Sequence, residues 1–218
     1  MTPLAESIVW LALEGPRALV EWLSCAAAGD LLERAPRGDG HPVLALPGFL
    51  ADDDSTGPLR RYLKTLGYAA HPWLLGRNLG ARGPVRERLI ARVEELSERH
   101  GRKISIVGWS LGGIYARALA KHMPDRVRQV ITLGSPFGDA APPPVPATAI
   151  FSKSDGIAHW RSCVETDGPE RENIEVPGSH CGLGWNPIVL WAIADRLAQA
   201  EGDWKPFHRE GWRSYLYR

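Results

Sequence analysis

The sequence predicts an α/β fold, in which a mainly parallel sheet of about six strands carries helices on both faces. Short apolar runs of strand type alternate along the chain with segments of helical period. This alternation requires right-handed crossovers between parallel strands. A chain of 218 residues with 44% hydrophobic residues can bury a sizeable core. Residues 1–218 are therefore predicted to form a single domain.

The N-terminal segment, residues 1–38, is predicted to be helical and to pack on this domain. Pro16 is predicted to divide it into two short helices, since proline cannot donate the helical hydrogen bond. A membrane-surface or homodimer role is the alternative for its apolar residues. Those residues are Ile8, Val9, Trp10, Leu11, Leu13, Leu19, Val20, Trp22 and Leu23.

The remaining elements follow from apolar periodicity and from proline and glycine punctuation. The predicted strands are 42–46, 68–71, 104–107, 127–133, 147–151 and 173–176. The predicted helices are 58–66, 84–100, 114–122 and 187–200. The loop 73–83, which contains Asn78, is predicted to be a rim loop without a chemical role. The aromatic and basic tail, residues 202–218, is predicted to dock on the body.

The segment Gly108-Trp109-Ser110-Leu111-Gly112 lies between a predicted strand and a predicted helix. A serine in such a sharp turn has its hydroxyl above the sheet edge, and glycines are needed on both sides because larger residues would collide. Ser110 is therefore the candidate nucleophile. The alternative is a glycine-rich turn with an unused serine.

Asp155 and His180 also follow predicted strands directly, so parallel strands would bring both to the edge that carries Ser110. A serine hydroxyl needs an imidazole to take its proton, and the imidazole needs a carboxylate to orient it. The chain order serine, aspartate, histidine is the one that this architecture uses. Asp139 and Asp167 are alternative acids.

Acyl transfer also needs N–H donors for the developing oxyanion. The N–H of Leu111 begins the predicted helix after Ser110. The turn after the first core strand should supply the second donor, from Phe49 or, as the alternative, Leu50.

These segments resemble an α/β-hydrolase of the lipase and esterase type. Leu46-Pro47-Gly48-Phe49 is similar to the oxyanion turn of bacterial lipases, although Pro47 stands where histidine is usual. The resemblance implies carboxylic-ester hydrolysis through an acyl-enzyme, with no cofactor and no metal. An acyltransferase or perhydrolase with the same residues is the alternative, and a catalytically silent binding module is another.

The segment 137–147 has no room for the helical lid common in such lipases, so the chain resembles the smallest, lidless members. An uncovered site favours short- to medium-chain acyl esters. The candidates to line an apolar acyl groove are Trp109, Phe137, Ile157, Trp160 and Leu183.

The three cysteines, Cys25, Cys163 and Cys181, lack the spacing of metal ligands. Cys163 and Cys181 follow the predicted acid and histidine, so either a disulfide ties these loops or both thiols are reduced. A cytoplasmic protein would favour reduced thiols.

The nearly balanced charge of the chain excludes some classes of binding partner. With 26 basic and 25 acidic residues the net charge is +1, which indicates no affinity for nucleic acid. The first charged residue is Glu6, no basic region precedes the apolar stretch, and its charges are incompatible with a transmembrane segment. We therefore expect a soluble, cytoplasmic protein that acts on a small-molecule or lipid ester.

Overall fold

The computed structural model describes residues 3–218, with side chains described from residue 8 onward. Its strands are β1 Pro42–Leu46, β2 Ala69–His71, β3 Ile104–Trp109, β4 Val127–Leu133, β5 Ala147–Phe151 and β6 Arg171–Glu175. They form one sheet in the order β2-β1-β3-β4-β5-β6, and all neighbouring strands are parallel. The predicted sheet of about six strands is confirmed.

The strand order reverses between β1 and β3. The chain moves outward from β1 to β2 and then returns to place β3 on the other side of β1. In open α/β sheets such a reversal opens a crevice at the carboxyl ends of the two strands, where ligands bind. The strand order therefore indicates a candidate site at the carboxyl ends of β1 and β3.

Within residues 3–218, six α-helices surround the sheet. They are α1 Pro3–Ala27, α2 Gly29–Glu33, α3 Gly57–Thr65, α4 Val85–His100, α5 Leu111–His122 and α6 Pro187–Leu197. Strand side chains alternate between faces, so Leu44 and Leu46 pack in the core with α4 and α5. Val43 and Ala45 pack in a second core with α3 and α6. Both faces are therefore covered, as a parallel sheet requires.

Helix α1 runs through Pro16 without a break, so the predicted division into two short helices is wrong. Proline removes the hydrogen bond to the carbonyl four residues earlier, here that of Ala12. Ala12 and Pro16 both lie on the exposed side of α1. Water can therefore satisfy this carbonyl, which lowers the cost of proline inside the helix.

The apolar residues of α1 do not form the predicted packing surface. Between Ile8 and Ala27, every exposed position is uncharged, and Leu19, Val20 and Trp22 are 58%, 61% and 54% exposed. The charged residues of this stretch instead face the body of the protein. The helix is thus oriented opposite to an ordinary amphipathic surface helix, which turns its apolar stripe inward.

A matched pair of leucine substitutions tests this orientation. Leu63→Ala is expected to lower the free energy of unfolding by about 2 to 5 kcal/mol, because Leu63 is fully buried between α3 and the sheet. Leu19→Ala removes the same atoms from the outer face of α1 and is expected to change it by less than about 0.5 kcal/mol. Chemical denaturation of both variants measures the difference, and equal losses would show that α1 buries its apolar face.

The C-terminal tail docks on the body, as predicted. Phe207 and Tyr217 are buried against Trp191 of α6. The backbone of Arg218 exchanges two hydrogen bonds with Glu175 at the end of β6. The tail therefore covers an edge of the sheet that would otherwise expose unpaired backbone groups.

Candidate active site

The turn between β3 and α5 consists of Ser110 alone. Its φ of 52° and ψ of −120° lie in a region that costs free energy for a residue with a side chain. The neighbouring glycines make the turn possible, since a Cβ on Gly108 would lie 2.4 Å from the carbonyl oxygen of Gly112. A Cβ on Gly112 would lie 2.4 Å from the carbonyl oxygen of Leu46. The backbone is thus held in a strained turn that exposes the serine at the crevice.

Asp155 and His180 form a hydrogen-bonded pair. Asp155 Oδ2 lies 2.7 Å from His180 Nδ1, and the two side chains are 1% and 7% exposed. Asp155 Oδ1 accepts hydrogen bonds from the N–H groups of Ile157 at 2.8 Å and Ala158 at 2.7 Å. These bonds fix the carboxylate, which in turn favours the imidazole tautomer with its proton on Nδ1. Nε2 is then free to accept a proton.

The pair sits next to the serine turn. The N–H of Ser110 donates to Leu133 O at the end of β4, and the following residue, Gly134, lies directly beneath the pair. A Cβ on Gly134 would be 3.0 Å from Asp155 Oδ2 and 3.1 Å from His180 Nδ1. Among the described residues, no hydrogen bond joins Ser110 Oγ to His180. In serine enzymes without substrate this contact is often long, and it tightens in the substrate complex.

The turn after β1 brings backbone N–H groups to the serine. Gly48 packs so close that an added Cβ would be 3.3 Å from Ser110 Cβ. The N–H of Leu50 is already used, because it donates to Asn78 O at 2.7 Å. The N–H of Phe49 donates no hydrogen bond within residues 3–218. Phe49 is therefore the better donor candidate, beside Leu111, whose N–H at the start of α5 has no acceptor in the helix.

Asn78 holds this turn, which corrects the prediction that its loop is only a rim loop. It is 1% exposed, and its Nδ2 donates to Pro47 O at 2.9 Å. Its backbone N–H donates to Ala51 O at 2.8 Å, and its carbonyl accepts from Leu50. Asn78 thus supplies the polar side chain beneath this turn, because the side chain of Pro47 cannot form hydrogen bonds. A single asparagine among glycines gave no sign of burial in the sequence.

Asn78→Ala is expected to lower the free energy of unfolding by about 1 to 3 kcal/mol, because Pro47 O loses its buried partner. Turnover of an ester is expected to fall by about 10- to 100-fold as the turn loosens. The control is Arg77→Ala, an exposed neighbour in the same loop. Steady-state kinetics and denaturation of both variants test this role, and equal behaviour of the two would exclude it.

Three candidates for an acyl groove lie in the interior instead. Trp109 and Phe137 are each 9% exposed and Leu183 is fully buried. The indole of Trp109 donates to His180 O at 3.0 Å, so it supports the histidine loop from below. Phe137 is covered by the guanidinium of Arg117. These three side chains are buried and do not line an accessible acyl groove, contrary to the prediction.

The other two candidates remain accessible. Ile157 is 54% exposed, two residues after Asp155. Trp160 is half-buried and stacks on Phe151, with ring centroids 5.9 Å apart. Phe49 adds a third accessible apolar side chain on the opposite side of the crevice, 56% exposed. Apolar surface is thus available at the rim on both sides of the serine.

Helix α1 reaches this site with a buried carboxylate that sequence reasoning missed. Glu14 is 5% exposed. Its Oε1 accepts from the N–H groups of Gly156 at 2.8 Å and His180 at 3.0 Å. Its Oε2 accepts from the N–H of Cys181 at 2.9 Å. One side chain therefore contacts both the acid loop and the histidine loop.

Two further charged residues of α1 contact the same loops. Arg17 donates to Ser154 O and Ser154 Oγ, each at 2.7 Å. Glu21 accepts from the N–H of Ser179 at 2.7 Å and from its hydroxyl at 3.0 Å. Burial raises the pKa of Glu21, while the bonds from Ser179 oppose the rise. The spacing of three and four residues puts Glu14, Arg17 and Glu21 on one helical face, the signal that was available in the sequence.

A second serine, histidine and aspartate arrangement lies at the amino ends of β1 and β3, the opposite end of these strands from Ser110. His41 Nδ1 lies 2.5 Å from Asp39 Oδ1, and His41 Nε2 lies 2.8 Å from Ser105 Oγ. His41 and Ser105 are both fully buried. No ester can reach Ser105, so this arrangement is structural, and accessibility distinguishes it from the pair beside Ser110.

The lowered pKa values of two histidines, His41 and His71, predict that the protein loses stability in acid. Burial lowers the pKa of His41, which Asp39 partly opposes, and burial with the positive charge of His100 lowers the pKa of His71 to about 4. The unfolded chain takes up protons near pH 6.5, whereas the folded chain resists doing so. The free energy of unfolding is therefore expected to fall as the pH drops from about 6.5 towards 4. Urea denaturation across this pH range measures the free energy of unfolding. His71→Gln should make that free energy less dependent on pH. A free energy of unfolding that rises in acid would contradict the lowered pKa values of the two histidines.

All three cysteines are free thiols, so the reduced alternative applies and no disulfide links Cys163 to Cys181. Burial raises the pKa of Cys163 to about 12 and that of Cys181 to about 11. Neither thiol is poised to act as a thiolate near neutral pH.

Within residues 3–218, no group of three or more histidine, cysteine, aspartate or glutamate side chains is arranged to hold a metal ion. No helix in that range combines the length and the apolar character that a membrane crossing requires.

A family model described as the PGAP1-like alpha/beta domain matches residues 75–162, which include β3, Ser110 and Asp155. No curated protein matches the chain by sequence. Several solved structures share its fold. A pyrethroid hydrolase from Sphingobium faniae aligns over 72% of this chain and 97% of its own, with a TM-score of 0.58 and 16% identity.

Two other structures extend the likeness. A monoacylglycerol lipase from Paleococcus ferrophilus aligns over 75% of this chain and 96% of its own, with a TM-score of 0.58 and 14% identity. A dienelactone hydrolase from Anabaena variabilis aligns over 73% of this chain and 84% of its own, with a TM-score of 0.56 and 22% identity. With its all-parallel six-stranded sheet and strand-turn-helix serine, the chain has the α/β-hydrolase fold.

Proposed function

We propose that the protein is a serine carboxylic-ester hydrolase that works through an acyl-enzyme. The observation that carries this proposal is the buried Asp155 and His180 pair, held beside a strained, accessible Ser110 at the crevice between β1 and β3. A strained backbone at a partly exposed serine costs free energy in the folded state. Such strain is typical of a nucleophile whose position matters more than stability.

In the proposed reaction, Ser110 Oγ attacks the ester carbonyl while His180 Nε2 takes the hydroxyl proton. Asp155 keeps the imidazole oriented and stabilises its charged form. The N–H groups of Phe49 and Leu111 stabilise the oxyanion, and each such donor is worth a factor of about 100 to 1,000 in rate. His180 then protonates the leaving alcohol, and water activated by the same imidazole releases the acid.

The proposed substrates are short- to medium-chain acyl esters. The apolar side chains that remain accessible, Phe49, Ile157 and Trp160, lie on the rim and offer contact to a short acyl chain. The named functions of the similar structures, a pyrethroid hydrolase, a monoacylglycerol lipase and a dienelactone hydrolase, are consistent with hydrolysis of an ester bond.

Hydrolysis of p-nitrophenyl esters of increasing acyl length, with an emulsified triglyceride included, tests the proposal. We expect the highest kcat/KM for short and medium chains and little activity on the emulsion. Product analysis with an added alcohol or with peroxide identifies an acyltransferase or a perhydrolase instead. No hydrolysis of any ester and no labelling by a fluorophosphonate would contradict the proposal and indicate a silent binding module.

A further inference from the structure

The carboxylate of Glu14 lies between the two loops that carry the proposed acid and base. We infer that Glu14 is a positioning residue for the reaction, which sets the placement of His180 relative to Asp155. This inference rests on the proposed function. It assigns to the N-terminal helix a role in the chemistry of a site built otherwise from the carboxyl ends of the strands.

The contacts of Glu14 fall on the residues whose placement matters. Its Oε1 accepts from the backbone N–H of His180 itself and from that of Gly156, which follows Asp155 directly. Its Oε2 accepts from the N–H of Cys181. A single oxygen thus joins the two loops, and the 2.7 Å bond between Asp155 and His180 spans the same two loops. A shift of either loop would have to break a bond to Glu14.

A carboxylate can accept from all three N–H groups at once. Its two oxygens are acceptors without donors, and hydrogen bonds to an ionised acceptor are about twice as strong as neutral ones. A glutamine in the same place keeps one oxygen and presents an NH₂ group. In one orientation that group faces the N–H of Cys181, and in the other it faces those of Gly156 and His180. At least one buried N–H therefore loses its acceptor.

The position of Glu14 is not a by-product of apolar packing by α1. Between Ile8 and Ala27 the buried residues are Glu14 and Ala18, and the large apolar side chains nearby are exposed except for Trp10, which is half-buried. Polar contacts from Glu14, Arg17 and Glu21 therefore account for much of how α1 meets the loops. Burying a carboxylate in this way costs desolvation free energy. In exchange, its hydrogen bonds hold the two loops in order.

Glu14→Gln tests the role, with Glu21→Gln as the matched control on the same helix. Among the described residues, Glu21 accepts hydrogen bonds from Ser179 alone and bonds to neither Gly156 nor the N–H of His180. Active enzyme is counted by complete fluorophosphonate titration, so that kcat is expressed per reactive serine. For Glu14→Gln we expect kcat on a short ester to fall about 10- to 100-fold with KM changed less than about 2-fold. The rate constant of fluorophosphonate labelling should fall by the same factor.

For Glu21→Gln we expect kcat per titrated serine within about 3-fold of the parent protein, whatever the loss in melting temperature. Equal kcat values for the parent protein and Glu14→Gln would overturn the inference, as would equal losses in the two variants. Failure of the proposed function is distinct, because the parent protein itself would then neither hydrolyse esters nor react with the fluorophosphonate.

Discussion

Ser110→Ala is expected to lower the kcat for ester hydrolysis by about 10⁴- to 10⁶-fold, the loss typical of removing the nucleophile from a serine, histidine and aspartate triad. The fold should survive. The hydroxyl of Ser110 makes no hydrogen bond within residues 3–218, and alanine keeps the same backbone restriction at a φ of 52°. The free energy of unfolding is therefore expected to change by less than about 0.5 kcal/mol.

Ser105→Ala is the informative control, because Ser105 also faces a histidine that is paired with an aspartate. It is buried at the amino end of β3, whereas Ser110 follows the carboxyl end of the same strand, so its removal should lower stability and leave kcat per folded molecule within about 3-fold. Kinetics and urea denaturation of both variants decide between the two serines. Full activity in Ser110→Ala would remove it from the reaction.

Asp155→Asn is also expected to have a large effect and to lower kcat by about 10⁴-fold. The amide can keep an oxygen towards the N–H groups of Ile157 and Ala158. Its NH₂ group then faces His180 Nδ1 and donates to it. This stabilises the wrong tautomer, with the proton on Nε2, so that the imidazole cannot take a proton from Ser110.

The alternative acids provide matched controls. Asp139→Asn and Asp167→Asn remove the same charge from carboxylates that are not paired with His180, so kcat is expected to stay within about 2-fold. The pH dependence of kcat/KM for Asp155→Asn adds a second measurement. Activity that returns at high pH, where hydroxide replaces the general base, fits the tautomer argument, whereas a kcat within about 2-fold of the parent would exclude Asp155 as the orienting group.

Much of the fold could be predicted from the sequence, because strand ends in a parallel sheet are marked by local signals. Gly108 and Gly112 around Ser110 indicate the turn. Asp155 and His180 lie in the loops that follow β5 and β6, which end at Phe151 and Glu175. Since parallel strands share an edge, three distant residues could be assigned to one place without coordinates. Phe49 was preferred to Leu50 from the sequence, and the structure adds a reason for that preference, because the N–H of Leu50 donates to Asn78 O.

Other features of the structure depend on the direction in which a side chain points, and the apolar character of a residue does not determine that direction. The apolar residues of α1 were predicted to pack inward, yet the inward face is the one with Glu14, Arg17 and Glu21. Apolar character does not by itself place a residue inside, because much of the surface of a folded protein is apolar. Trp109 shows the converse, since an aromatic residue beside the serine was predicted to meet substrate and instead supports the histidine loop.

We propose that one accessible serine, Ser110, is activated by the Asp155 and His180 pair. Mass spectrometry after incubation with a fluorophosphonate, followed by peptide mapping, tests this activation. We expect one covalent adduct per chain, on Ser110, formed at least about 100-fold more slowly in His180→Ala. An adduct on a different serine, or equal labelling rates with and without His180, would contradict it.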